Sequence, residues 1–387
     1  MRLVLLLIFG ILWTPLMVSQ VVMDSIEIKE QRILQIPTPP DYHKCDTCMI
    51  STLQFLEGIT SLQLQNNTPG GLTTLLHRGH AHRHVPILWN GINIQNVING
   101  VYDVSLLPKY LMGQMEFYSH LGQSPFGNNG ISGALMMDNG SVISHITMGI
   151  STLQNYHLST HFHKVQNRFQ WNIGMEGRYE KNMFTYDINQ LKGQRPSTEL
   201  KKVDWTGGMD YFISTKSTLS VQHWGQQSSR LVPGSITASP VHQLQEDKNY
   251  RSQIAYKYIG DKNIWIASAT SMQEYLNFYT TGVNSQSVLN IFNGRLEYRA
   301  RDNDFSLYTN YRRDFATPNF YIENHKRNTI QLGGYKKIIW SKSISSFIGV
   351  RQDRVDNEWM PISFNHNTQY KNHELIFASN YNLPGLN

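Results

Sequence analysis

From about Asn139 to its end, this 387-residue chain repeats segments of alternating apolar and polar residues, separated by turn residues. No other feature constrains the fold as strongly. Phe169, Trp171, Ile173, Met175 and Tyr179 share one face, against Arg168, Gln170, Asn172, Glu176 and Arg178. Trp205, Met209, Tyr211 and Ile213 oppose Thr206, Asp210 and Ser214, and Tyr250, Ile254, Tyr256 and Tyr258 oppose Arg251, Gln253 and Lys257. Leu296, Tyr298 and Ala300 against Arg295, Glu297, Arg299 and Arg301, then Phe305, Leu307 and Tyr311 against Ser306, Asn310 and Arg312, continue the pattern. Leu375 and Phe377 begin the last clear segment. Period-two alternation puts one apolar face on each strand and predicts an antiparallel, mainly β protein. A soluble sandwich would alternate in the same way. Two features favour a membrane barrel: segments about ten residues long, as a tilted membrane strand requires, and Tyr, Trp and Phe near the strand ends, as in aromatic girdles.

The N-terminus agrees with export. Residues 1–20 have a charged start at Arg2, an apolar core over 3–13, and Val18-Ser19-Gln20 as a cleavage site with an oversized last residue. The apolar run is shorter than the ~20 residues of a spanning helix, and no later segment has that length and apolarity. A mature membrane protein of this sequence would therefore be a barrel. Charged residues make up 16% of the chain, against about a quarter in ordinary soluble proteins. The net charge of +6 is spread along the chain without a basic block, so nucleic acid is not an expected partner. The two cysteines, Cys45 and Cys48, are most simply a local disulfide in an exported protein. A redox motif would open a helix after a strand, and a metal site would need more ligands than nearby His43.

Residues 69–108 carry the most informative local sequence. Two apolar runs, 72–76 and 85–89, each end in turn chemistry, Arg78-Gly79 and Asn90-Gly91. Asn-Gly after an apolar run is a strong hairpin signal, and the segment predicts short strands joined by tight glycine turns. The order Arg-Gly, polar loop, Val-Pro-Ile-Leu-Trp-Asn-Gly-Ile-Asn-Ile-Gln, then Leu-Leu-Pro resembles the plug domain of TonB-dependent outer-membrane receptors. Its Leu-Trp-Asn-Gly-Ile core is most similar to the branch related to cobalamin receptors. The resemblance extends to a short helix over 52–56, a strand over 59–65, Met115-Glu116-Phe117 as a further strand, and 124–133 as the segment that closes the plug. There Ser132 stands for a family glycine and Gly130 for an alanine.

The resemblance implies a small α+β plug domain followed by an antiparallel transmembrane β-barrel. The implied boundaries are 1–20 signal peptide, 21–44 flexible lead, 45–138 plug and 139–387 barrel. Gly70, Gly71, Arg78, Gly79, Trp89, Asn90, Gly91, Glu116, Gly127 and Gly133 form the plug motif. In the lead, residues 22–28 alternate like a short strand. By resemblance Val22, Asp24, Ser25, Ile26, Glu27 and Ile28 contact TonB, with its inner-membrane energising complex, by strand addition. Arg78, Glu116 and lumen-facing arginines are the expected polar ties between plug and barrel. The polar stretches 225–249 and 313–328 read as long connections, with 231–234 and 245–247 resembling a recurring family segment. Plugged transporter barrels have about 22 strands, whereas the residues after Asn139 suffice for roughly 12 to 14. The last seven residues resemble a mid-barrel motif rather than a terminal aromatic strand. A fragment or an interrupted gene is therefore expected.

Nothing in the sequence forms a catalytic constellation, so an enzyme is not expected and no cofactor is implied. The distinctive cluster is His77, Arg78, His80, His82 and His84. In an extended chain His80, His82 and His84 share a face and would suit a transition metal or metal-bearing ligand. A solvated loop between two strands would read the same way, so no firm metal site follows. By resemblance, plug loops face outward and touch substrate. The expected function is energised import of a scarce, bulky nutrient, cobalamin-like or a chelated metal, across outer-membrane lipid. The rival expectation is a non-transporting remnant or surface binding module.

Overall fold

The computed structural model describes residues 42–46, 52–59, 61–66, 71–98, 100–108, 110–118, 133–139, 144–182, 185–188, 191–194, 199–232, 243–300, 305–318, 325–341, 343–370 and 373–379. The expected leader, the TonB-contact segment 22–28, Gly70, Gly127 and Cys48, with its proposed disulfide, lie outside these residues.

The first part is a small mixed-sheet domain. Its strands are β1 (Tyr42–Asp46), β2 (Leu62–Asn66), β3 (Thr73–His77), β4 (Ile87–Trp89), β5 (Ile92–Asn93), β6 (Gln114–Tyr118) and β7 (Ala134–Asp138), with one helix, α1 (Thr52–Glu57). Five of them form a sheet in the order β1-β6-β7-β4-β5, with β4 parallel to β7 and the other pairs antiparallel. β2 and β3 make a separate hairpin. The domain starts earlier than expected, because β1 pairs with β6 ahead of residue 45. Both predicted glycine turns are present. Asn90 and Gly91 have φ of 48° and 83° and join β4 to β5 with Trp89 opposite Ile92. Arg78 and Gly79, at 50° and 78°, bring His77 opposite His80. Two consecutive left-handed residues define the type I′ hairpin turn, where glycine and asparagine cost least. Phe55, Leu56, Leu75, Val85, Trp89, Ile94, Val104, Phe117 and Leu135 make the core.

Most of the described residues from 144 onward form one antiparallel sheet. Its strands are β8 (His145–Ser151), β9 (Asn155–Gln166), β10 (Phe169–Glu180), β13 (Leu200–Ser214), β14 (Ser217–Leu231), β15 (Leu244–Ile259), β16 (Asn263–Thr280), β17 (Val283–Ala300), β18 (Phe305–Pro318), β19 (His325–Ser341), β20 (Ile344–Val355), β21 (Glu358–Trp359), β22 (Ser363–Tyr370) and β23 (His373–Ser379). A two-strand hairpin of β11 (Thr185–Ile188) and β12 (Leu191–Gln194) sits in the connection between β10 and β13. Thirteen of these strands pair in sequence order from β8 to β23 as a meander among the described residues, with β21 pairing β20 off the path.

Burial is inverted relative to a soluble sandwich. The buried alternate positions are polar: Asn172, Glu176, Lys202, Asp204, Gln226, Arg251, Gln253, Asn293, Arg295, Glu297 and Arg351. The exposed ones are apolar: Ile173, Met175, Val203, Ile254, Trp265, Leu296, Leu307 and Val350. That is the side-chain distribution of a barrel in lipid. Aromatic contacts fall at both ends of the outward face. Phe169–Tyr211 and Trp265–Tyr298 lie near one end, Tyr156–Tyr179 near the other. Phe169 and Tyr179 bracket β10; at about 3.3 Å per residue and a tilt of 40–45° they are ~24 Å apart across the membrane, close to the apolar band of such barrels.

The flanks of two expected long connections turn out to be strand. Residues 225–231 belong to β14 and 244–249 to β15, which pair from Gly225↔Tyr250 to Leu231↔Leu244. Residues 313–318 likewise belong to β18 and 325–328 to β19. The physical reason is strand length. β16 and β17 each run 18 residues, well beyond the ~10 that cross the bilayer, and the excess needs no apolar face.

Candidate functional site

The segment from Asn90 to Tyr110, which begins with the β4–β5 turn and β5, meets the inward face of the large sheet. Asp103 organises its local structure. Its Oδ1 accepts hydrogen bonds from the backbone N of Ser105 at 3.0 Å, from Ser105 Oγ at 2.7 Å and from the backbone N of Thr73 at 3.1 Å. It thereby caps the 3-10 turn Val104–Leu106 and ties that turn to β3. The carbonyls that follow are bonded by side chains of the wall. Arg178 Nη2 donates to Ser105 O at 2.9 Å and to Leu107 O at 3.3 Å, and Gln226 Nε2 donates to Leu106 O at 2.6 Å. Glu176 Oε2 accepts from the backbone N of Tyr110 at 3.0 Å. Asp103 Oδ2 pairs with Arg230, both side chains buried.

A second group of ties holds residues 90–96. Gln253 Nε2 donates to Asn90 O at 3.2 Å, Arg312 Nη1 to Asn93 O at 3.5 Å, and Asn96 Nδ2 to Glu274 Oε2 at 3.4 Å. Lumen-facing arginines thus act as expected at Arg178, Arg230 and Arg312. The buried carboxylate of Glu116 accepts from Tyr118 Oη at 2.6 Å. Arg78 lies exposed in its turn. Asn96, Asp103, Gln226, Gln253 and Glu274 were missed by sequence reasoning. A single acid or amide within an apolar or alternating stretch gives no sign of a partner more than a hundred residues away.

The contact is not purely polar. Trp224, Met272, Leu289, Ile291 and Ala316 of the wall belong to the same buried apolar cluster as Trp89, Ile92 and Ile94. The Trp89 and Trp224 rings are 6.3 Å apart, and Trp89 Nε1 donates to Asn139 Oδ1 at 2.8 Å. Arg251, fully buried, lies 4.2 Å over the Trp224 ring with Glu274 Oε1 at 3.8 Å. Burial in this region raises the Tyr102 hydroxyl well above the ordinary tyrosine range, with Asp204, Glu274 and Asp103 adding to the shift and the Arg251 charge opposing it. A cavity of about 260 Å³ lies between residues 94–106 and the wall, lined by Tyr102, Asp103, Arg230, Asp247, Arg251 and Glu274 among others.

The histidine segment differs from its expected form. Residues His82–His84 form a 3-10 turn, not an extended strand, so the one-face argument for His80, His82 and His84 fails. His77 is buried with its ring 5.1 Å from that of Phe117. His80 and His84 approach edge to face at 6.0 Å. Among the described residues no group of three or more His, Cys, Asp or Glu is arranged to hold a metal. Partial burial lowers the pKa of His82 and His84 below the usual value, and Arg83 lowers both further, joined at His84 by His80 and His82. Gln95 ties this turn to the wall-contacting loop: its Nε2 donates to His82 O at 3.1 Å and to Val85 O at 3.2 Å.

No protein-family model and no curated protein matches the sequence. Solved structures do. The siderophore receptor PiuA from Acinetobacter baumannii is similar over 88% of this chain and 63% of its own, at 9% identity and a TM-score of 0.64. The copper transporter OprC is similar over 87% and 61%, at 10% identity and a TM-score of 0.67. The FrpB iron transporter from Neisseria meningitidis is similar over 85% and 60%, at 11% identity and a TM-score of 0.65. The chain therefore spans about 60% of the length of these proteins. At such identities the likeness is one of fold: a mainly β chain built around a large antiparallel barrel sheet.

Proposed function

We propose that this chain is a TonB-dependent outer-membrane receptor. Residues 1–20 are its leader, 22–28 its TonB contact, 45–138 its plug with β1 added, and 139–387 its barrel. The observation that carries the reading is the tie between the two parts: backbone carbonyls of residues 90–107 are bonded by polar side chains on the inward face of a sheet whose outward face is apolar. A plug of this kind is held in place without being fused to the wall.

The cargo we favour is a chelated transition metal over a cobalamin-like ligand. The similar structures are of a siderophore receptor, a copper transporter and an iron transporter. The histidine turn is at the ligand-contact position of the resembled plug and is joined through Gln95 to the wall-contacting loop, so contact at the turn reaches the polar ties. A second reading, a binding module that does not transport, draws support from the apolar patch around Trp224, which makes complete withdrawal of the plug costly.

Cell fractionation and uptake separate these readings. Recovery in outer membranes with the leader removed, and energised uptake of a ferric or cupric chelate, are the expected results. Ile26→Pro, which removes a backbone donor from the added strand, should abolish uptake and spare binding. Binding without uptake in the parent would establish the non-transporting module. Folded protein in the periplasm would overturn both readings.

A further inference from the structure

The outward face of the large sheet carries a groove with a polar rim. On β10, outward residues Met175 and Tyr179 flank Gly177, which has no side chain, and a Cβ built there meets nothing within 4 Å. Gly177 is opposite Leu158 on β9 and Val203 on β13. Met148 of β8 lies opposite Leu158. Gly177 lies in the floor of a groove of about 620 Å³, within the ~300–1,000 Å³ of small-ligand sites. One end of the groove is apolar, formed by Met148, Leu158 and Val203. The other end is formed by the stacked rings of Tyr156 and Tyr179, 6.3 Å apart, with Lys201 Nζ 5.9 Å from the Tyr179 ring. Lys201 reaches Glu199 at 2.8 Å but is otherwise solvent-exposed, and an ammonium has three donors.

The rim lies at the end of the sheet where β10 and β13 are joined by the long connection containing β11 and β12. Tyrosine and lysine at the end of an apolar strand face are the residue types that sit at lipid headgroups. Resting on the membrane-barrel reading above, we propose that this groove is a specific binding site for one anionic lipid. An acyl chain lies over Gly177 between Leu158 and Val203, and its phosphate-bearing headgroup meets Lys201 beside Tyr179. Charge complementarity sets the occupant: a neutral lipid would fill the groove but leave the lysine to Glu199 alone.

Native mass spectrometry of the protein released from nanodiscs, with dioleoyl phosphatidylglycerol or dioleoyl phosphatidylcholine as probe, tests this. The parent should retain one phosphatidylglycerol at least tenfold more often than phosphatidylcholine. Lys201→Gln should erase that preference and leave phosphatidylcholine retention unchanged. Gly177→Leu fills the groove and should reduce retention of both; Gly177→Ala, a smaller intrusion into open space, should fall between. Equal retention of the two lipids by the parent, or a preference that survives Lys201→Gln, would overturn the site and leave the receptor reading standing. Failure of the parent to enter nanodiscs would overturn both.

Discussion

Asp103 is the residue whose loss should matter most per atom removed. One oxygen holds Thr73 N and Ser105 N, and the other meets the buried Arg230. Removing one member of a buried pair leaves an uncompensated charge, at a cost of about 3–5 kcal/mol, and losing a helix-type cap costs about 1 kcal/mol more. Arg230 keeps some compensation. Its Nη2 donates to Gln245 Oε1 at 3.1 Å, and the nearby Asp247 carboxylate feels its charge. We therefore expect Asp103→Ala to cost the low end, about 3 kcal/mol, or roughly a hundredfold in a local opening equilibrium. Asp103→Asn keeps an acceptor for the two amides and should cost about 2 kcal/mol. Arg230→Met added to Asp103→Ala should recover much of the loss, a coupling of roughly 2 kcal/mol.

The assay is native-state hydrogen exchange of the Thr73 and Ser105 amides in detergent micelles, with amides of β16 as an internal control. Faster exchange at Thr73 and Ser105 alone, reversed in the double variant, is the expected pattern. Exchange in Asp103→Ala within threefold of the parent, or no recovery in the double variant, would refute the reasoning: the pair would then be solvated and its geometry incidental.

Three further outcomes are expected. Gly91→Ala imposes a side chain at a φ of 83° and should cost about 1–2 kcal/mol, read as a lower denaturation midpoint of the small domain; an unchanged midpoint would show that the turn relaxes freely. Gln95→Ala removes the side-chain donor to Val85 O and leaves His82 O with the Val85 amide alone, which should cost about 1–3 kcal/mol and weaken chelate binding, checked by titration; parent affinity would uncouple the turn from the site. If His82 and His84 ligate metal, protons compete only below their lowered pKa values, so affinity should hold at pH 6.5 and fall at lower pH, and alanine at His80, His82 and His84 should flatten that profile; a triple variant matching the parent at pH 7.5 and 5 would end the metal-contact idea.

The same alternation made most of the fold legible and concealed part of it. The pattern located β10, β13, β15, β17 and β18 because each strand has one lipid-type face. It failed at residues 225–231 and 244–249, where both faces are polar because the strands continue past the apolar band. The turns at Arg78-Gly79 and Asn90-Gly91 were legible because their conformation is a local property of those residues. The 3-10 turn at His82–His84 was not, since its carbonyl partner Gln95 comes from another loop. Asp103 was invisible for a related reason: its partner Arg230 lies 127 positions away and reads in sequence as one of many lumenal charges.

The mixed character of the contact bears on how such a plug would move. Trp224, Met272, Leu289 and Ile291 are four large buried side chains on the wall. Exposing all four would cost roughly 6–12 kcal/mol at ~1.5–3 kcal/mol each, comparable to the whole stability of a typical domain. A single neutral hydrogen bond is worth only about 0.5–1.5 kcal/mol net, and one to a charged group about 1.5–3. The Gln253 tie to residues 90–96 falls in the lower range and the Arg312 and Glu274 ties in the higher, and they lie next to the Gln95 link from the histidine turn. The Arg178, Gln226 and Arg230 ties to residues 103–107 are more numerous and more deeply buried. The polar ties of residues 90–96 are thus the weaker set, but Ile92 and Ile94 share the apolar cluster with Trp89 and Trp224, so the same burial holds this stretch as well.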